Sequence, residues 1–248
     1  MAQVRVKSEL DLDSPTLVEG LPGIGLVGKI ATDHLVDTLD MTYVASVDCA
    51  SIPQVTIYDE GARHVLPPVR IYANESEDVL ALQSDVPISR GGGDEFAECI
   101  TAWLQDNDVT PLYLSGLPQA DYEPGDVPEV FGIGTGDAVA RLDDLDVGRP
   151  PERGIVGGPT GALINRAGEY GLDAIGLVVD SDPQFPDPAA AKHLIQDAIE
   201  PLSGVDVSTE DLVEHAEDIR DQKEQFAQRM QEANEEESTQ AQPMRMFQ

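Results

Sequence analysis

The 248-residue chain carries 47 Asp or Glu against 15 Lys or Arg, a formal net charge of −32, with 41% hydrophobic and 5% aromatic residues. The acid is spread along the whole sequence, and such a coat repels nucleic acid and anionic membrane surfaces, whose binding takes positive charge. The length allows one large α/β domain with a proper core, alone or with an appendage.

Lysine is confined to Lys7, Lys29, Lys192 and Lys223. Self-repulsion between the acids weakens when salt shortens the Debye length to about 3 Å near 1 M. Acid of this density with so little lysine resembles the cytosolic proteins of halophiles; an ordinary acidic protein is the alternative. No apolar run approaches the ~18 residues of a membrane span. No basic-then-apolar start is seen, so no secretory signal is expected. Cys49 and Cys99 stand alone in apolar stretches, which predicts buried free thiols in a reducing cytosol.

In chain order, residues 3–6 and 15–19 read as short strands. A glycine-rich turn and a helix over Leu26 to Leu39 follow. "TYVASVD" and "QVTIY" are strand-like, with Pro53 between them as a breaker; "VRIYA" and "DVLALQSD" read as two more strands turning at 74–77. "SRGGGDEFAECITAWLQDND" predicts a loop, an N-cap at Asp94 and a helix whose Phe96, Ile100, Trp103 and Leu104 share a face. "PLYLSGL" is an apolar strand, and a Pro-, Gly- and Asp-rich loop covers 118–137.

"GIVGGPTGALINRAGEYGLDAIGLVVDS" then repeats the opening pattern of glycine turn, helix and buried strand, the strand being Ala174–Val179. A further helix spans 187–200. The alternation argues for a sheet covered on both faces over residues 1–204. Residues 205–235 read as a long C-terminal helix, with Leu212, Ala216, Ile219, Phe226 and Met230 forming a narrow stripe suited to docking on a neighbour. Residues 236–248 read as a flexible tail.

"TLVEGLPGIGLVGKIATDHL" poses the central question, since its glycines fit two nucleotide motifs partly. A phosphate-binding G-x-x-x-x-G-K-[ST] needs a hydroxyl after Lys29, where Ile30 stands. Gly23, Gly25 and Gly28 fit G-x-G-x-x-G, with Asp48 at the distance of a ribose-binding acid, but Pro22 lies in the turn and no hydride-transfer apparatus is near. The third reading needs only backbone geometry: Gly23, Gly25 and Gly28, and later Gly157, Gly158 and Gly161, let strand turn to helix and helix approach sheet. Lys29 and Asp33 are then an i, i+4 pair on the solvent face.

The same stretches, with "YVASVDCASIPQVTIYDEG" between them, carry a family resemblance over roughly residues 15–200. The chain resembles the archaeal, PAC2-like proteasome-assembly-chaperone family, in a haloarchaeal form. The resemblance implies a three-layer αβα sandwich similar to purine nucleoside phosphorylases, with a C-terminal helical extension and without catalytic residues or cofactor. It implies a cytoplasmic homo-oligomer of three to five subunits. It also implies structural glycine turns and contact with 20S proteasome α-subunits through a terminal hydrophobic–Tyr–any-residue motif. Here that end is Met246-Phe247-Gln248, with phenylalanine in place of tyrosine. An apolar residue, a ring and a free carboxylate after a linker suit a pocket-filling anchor. The alternative function is a nucleotide- or nucleoside-binding enzyme using the glycine turn.

His34, His64, His193 and His215 have no second ligand at metal spacing, so no metal site is expected. Arg90 with the glycines that follow fits an anion nest or, more simply, a loop before a helix. No Ser-His-Asp or Cys-His arrangement is discernible.

Overall fold

A computed structural model of the chain describes residues 2–8, 10–119, 127–145 and 147–212. Eight strands form one mixed sheet: β1 (Gln3–Val6), β2 (Thr16–Gly20), β3 (Thr42–Asp48), β4 (Val69–Asn74), β5 (Val79–Ser84), β6 (Thr110–Pro118), β7 (Val130–Thr135) and β8 (Ala174–Ser181). Their order across the sheet is β1-β3-β4-β5-β2-β6-β8-β7. The centre, β5-β2-β6-β8, is parallel; β1, β3, β4 and β7 pair antiparallel.

Helices cover both faces. On one, α1 (Val27–Thr38) and α5 (Pro188–Leu194) pack Val27, Ala31, Leu35 and Leu194 against Val18, Leu112, Leu114 and Leu177. On the other, α2 (Gly93–Asp106) and α4 (Gly158–Tyr170) pack Phe96, Ile100, Leu104, Leu163 and Ala167 against Leu17, Leu80, Leu82 and Tyr113. The spacing of Phe96, Ile100 and Leu104 is the reason α2 presents one apolar stripe. Each such fully buried side chain contributes about 1.5–3 kcal/mol. Gly171, at φ +68°, ends α4 in the left-handed conformation that glycine adopts without strain. A short α3 (Val139–Asp144) follows β7, and α6 (Glu200–Ser203) continues α5 through a π-type turn.

Several expectations need correcting. "QVTIY" is not a strand; it makes one isolated bridge, Ile57 to Leu66, in an excursion between β3 and β4. The stretch taken as loop to residue 137 contains β7, whose Gly132 and Gly134 hide it from β-propensity. A side chain at Gly132 would meet Leu142 within 2.6 Å. Asp94 is not the cap of α2: Arg90–Gly92 form a 3-10 turn, and Asp94 and Glu95 lie in the first helical turn, where acids favour the dipole. Cys49 is buried, whereas Cys99 is only partly so. Residues 204–209 are not helical. A helical turn starts at Glu210, and Val205, Val207 and Leu212 join the core on the α1 side. The remainder of the expected long helix and the tail lie outside the described residues.

Candidate functional site

β2 is buried along its whole length, and its fourth residue is an acid: Glu19, fully shielded from solvent. Among the described residues its carboxylate has no basic partner; instead it collects neutral donors. The Leu114 N–H reaches Oε2 at 2.9 Å and the Thr160 hydroxyl reaches Oε1 at 2.9 Å. Burial pushes the Glu19 carboxyl up to about 7, against the downward pull of Leu114, Thr160 and the Leu21 backbone. Burial, and after it the charge of Glu19, raises the Tyr113 phenol above its ordinary value.

The β2–β6 ladder ends at Glu19 and Tyr113, while β6 and β8 stay paired out to Pro118 and Ser181. The chain from Leu21 to Leu26 therefore folds over strand ends that β2 no longer covers. Glycine is required there in two places. A Cβ on Gly25, at φ +60°, would lie 1.9 Å from Ser181 Oγ, and one on Gly116 would lie 2.5 Å from the Ile24 carbonyl oxygen. The turn is pinned by the Asp187 N–H donating to the Gly25 carbonyl at 2.8 Å. Asp187 in turn caps α5, accepting from Ala190 N–H at 3.0 Å and from Asp182 N–H at 3.1 Å.

The second glycine run meets the first here. Gly23, Gly25, Gly157 and Gly158 line one cleft of about 910 Å3 at the carboxyl ends of β2, β6 and β8. Such strand ends are where ligands of α/β sheets gather. Gly28 and Gly161 serve packing behind it. A Cβ on Gly28 would lie 3.2 Å from that of Leu114, and one on Gly161 would lie 2.2 Å from the Val156 carbonyl oxygen. Met246, Phe247 and Gln248 fall outside the described residues.

The dinucleotide arrangement is not formed. The strand after α1 is β3, three places from β2 with β4 and β5 between them, so α1 does not join two adjacent parallel strands at the glycine turn. Asp48, the candidate ribose ligand, pairs with Arg5 on the edge strand. Lys29 and Asp33 do pair, at 2.8 Å, but half-buried between helix and sheet rather than fully on the solvent face. Lys29 also holds Asp85 at 3.1 Å, Arg70 holds Asp85 at 2.7 Å, and the cluster ties α1 to the sheet.

Among the described residues no group of three or more His, Cys, Asp or Glu is arranged to hold a metal. His34 Nε2 lies 2.6 Å from the Ser208 carbonyl, and His193 lies 3.0 Å from Asp197. Gly92, in the candidate nest, packs on Ser51, whose Cβ would be 2.0 Å from a side chain there. Glu19 belongs to none of the motifs in the sequence. Its signal was present: a lone acid in the apolar run directly before the glycine turn.

The model of the PAC2 family matches residues 17–227, spanning Glu19, both glycine turns and every strand from β3 onward. The chain belongs to the PAC2 family. Among solved structures, this PAC2 chain is similar to Pyrococcus furiosus PbaA, described as an archaeal homolog of proteasome-assembly chaperone. The identity is 28%, with 96% of this chain and 97% of that one covered, and the TM-score is 0.79. Its fold also matches Pyrococcus furiosus PbaB, described as an archaeal proteasome activator, at 21% identity, 91% and 98% coverage and a TM-score of 0.74. An uncharacterised protein of Methanocaldococcus jannaschii is 29% identical over 224 residues, 90% of this PAC2 chain and 89% of the relative.

Proposed function

We propose that this PAC2 protein is a non-enzymatic assembly chaperone or adaptor of the 20S proteasome. The observation that carries the reading is its full-length similarity to PbaA, 28% identical with a TM-score of 0.79. In this reading the chain works in the cytoplasm as a homo-oligomer of three to five subunits. Each subunit offers Met246, Phe247 and Gln248 to a pocket between α-subunits. The glycine turns hold the fold of the domain that carries this end. Light scattering at high salt is the check on assembly; a species of only 26.6 kDa contradicts the oligomer.

The test of the contact is capture of purified 20S particles by the full chain and by Phe247→Ala. Burying a phenylalanine ring contributes ~1.5–3 kcal/mol, so one end loses about one to two decades of affinity. Several ends on one oligomer enlarge the loss through avidity. Capture indifferent to Phe247→Ala overturns the anchor. One observation favours the nucleoside-binding alternative, the position of the cleft at the carboxyl ends of β2, β6 and β8. Calorimetry against NAD, ATP and nucleosides decides it, micromolar heats favouring the enzyme.

A further inference from the structure

In a chain one-quarter charged, not one of the described residues lining the 910 Å3 cleft is charged. Its walls are mainly prolines, glycines and apolar side chains, Phe185 and Ile155 among them, with the uncharged polar Ser115, Thr160 and Gln184 between. Ile155 is 96% exposed, an isolated apolar ridge on an acidic surface. On the far side of that ridge lies a second cleft of about 340 Å3, which shares Leu117, Ile155, Val156 and Val178 with the first. With those four residues as a common wall, the two clefts can be spanned as one groove. Its second half differs in charge, with Glu129, Glu152 and Asp180 in its lining. None of these three has a basic partner among the described residues. Asp180 accepts the Gln119 amide at 2.8 Å. The first turn of α4 borders the uncharged half. Gly157 has no side chain to cap it, Pro159 has no N–H and the Gly161 N–H bonds the Gly157 carbonyl. The N–H groups of Gly158 and Thr160 are therefore the ones that can meet a ligand carbonyl. An anion is disfavoured at that position, because Glu19 lies behind the floor on Thr160.

We infer that the groove binds an extended peptide segment of a partner protein in which apolar residues adjoin a basic one. The apolar side chains lie in the uncharged half against Ile155, the peptide carbonyls meet the α4 N–H groups, and the basic side chain crosses the ridge to Glu129, Glu152 and Asp180. A small molecule fills one cleft; the joined length and the one-sided charge match a segment with two chemically different ends. The site is independent of the terminal anchor, so either can fail without the other.

The test is fluorescence anisotropy with an amidated, fluorescein-labelled peptide, Gly-Ser-Leu-Phe-Pro-Arg-Leu-Ser-Gly, and a second peptide with Glu in place of Arg. The full chain is used, in about 1–2 M KCl so that only contact charges act. Saturable binding of the Arg peptide is expected, with the Glu peptide about fivefold weaker or more. Ile155→Glu, at an exposed position that leaves the fold intact by circular dichroism, weakens the Arg peptide about tenfold or more. The double variant Glu129→Lys and Glu152→Lys reverses the preference toward the Glu peptide. No saturation up to about 1 mM, indifference to Ile155→Glu, or an unreversed preference each overturns the proposal. Tighter binding after deletion of residues 244–248 overturns the partner assignment as well, since Met244-Arg245-Met246-Phe247 of this chain would then be the occupant.

Discussion

Replacing Glu19 by glutamine removes the carboxyl that the fold buries completely at the end of β2. Its carboxyl sits at about 7 in the folded chain against 4.5 ordinarily, with burial as the main cause. Below about pH 4.5 both folded and unfolded chains hold the proton, and the contribution to stability is at its full value. Between there and about pH 7 only the folded chain holds it. Stability is therefore lost as pH rises through that window, by about 3 kcal/mol in all. The other acids also titrate, so the informative quantity is the difference between wild type and Glu19→Gln. Urea unfolding at fixed high KCl, from about pH 5 to about pH 8, gives that difference at each pH. It should shift by about 2–3 kcal/mol against the wild type across the range, with most of the change between about pH 5 and 7. Curves that stay parallel within about 0.5 kcal/mol refute a carboxyl buried at the end of β2.

Gly25→Ala forces a side chain into φ +60° and onto Ser181, and should lower stability by about 2 kcal/mol or more, read as a drop in Tm at constant salt. A net charge of −32 should make the fold depend on salt. Circular dichroism at falling KCl should show unfolding or dissociation well below 1 M, and an unchanged Tm down to about 0.1 M contradicts the halophile reading.

The parallel centre of the sheet was legible because short apolar runs alternate with helical periodicity. β6, β8, α1, α2 and α4 all fall where that alternation places them. Only the first glycine run turns a strand into a helix; the second opens α4 from residues 149–157, which form no strand, and the fold brings both runs to one cleft. β7 was not legible, since "FGIGT" is half glycine-punctuated and forms only because β8 offers an edge and Leu142 fills the space over Gly132. Nor was the true setting of Lys29. The i, i+4 spacing finds its partner Asp33, but Asp85 arrives from just after β5 and Arg70 from β4, and only tertiary structure brings them to the pair. Asp48 fitted a ribose site by spacing alone. Strand order, which local sequence does not encode, sets it beside Arg5 instead. Glu19 was overlooked for a related reason: in a chain with 47 acids, one more acid carries little signal until its burial is known.

The central claim, a proteasome chaperone or adaptor working through its end, meets its most direct test in one measurement. Purified 20S particles are passed over the immobilised full chain and over the chain lacking Met246, Phe247 and Gln248, in high KCl, with circular dichroism confirming that both are folded. The full chain is expected to retain the particles and the shortened one to release them. Equal retention by both places any contact elsewhere on the molecule, and no retention by either contradicts the proteasome assignment itself.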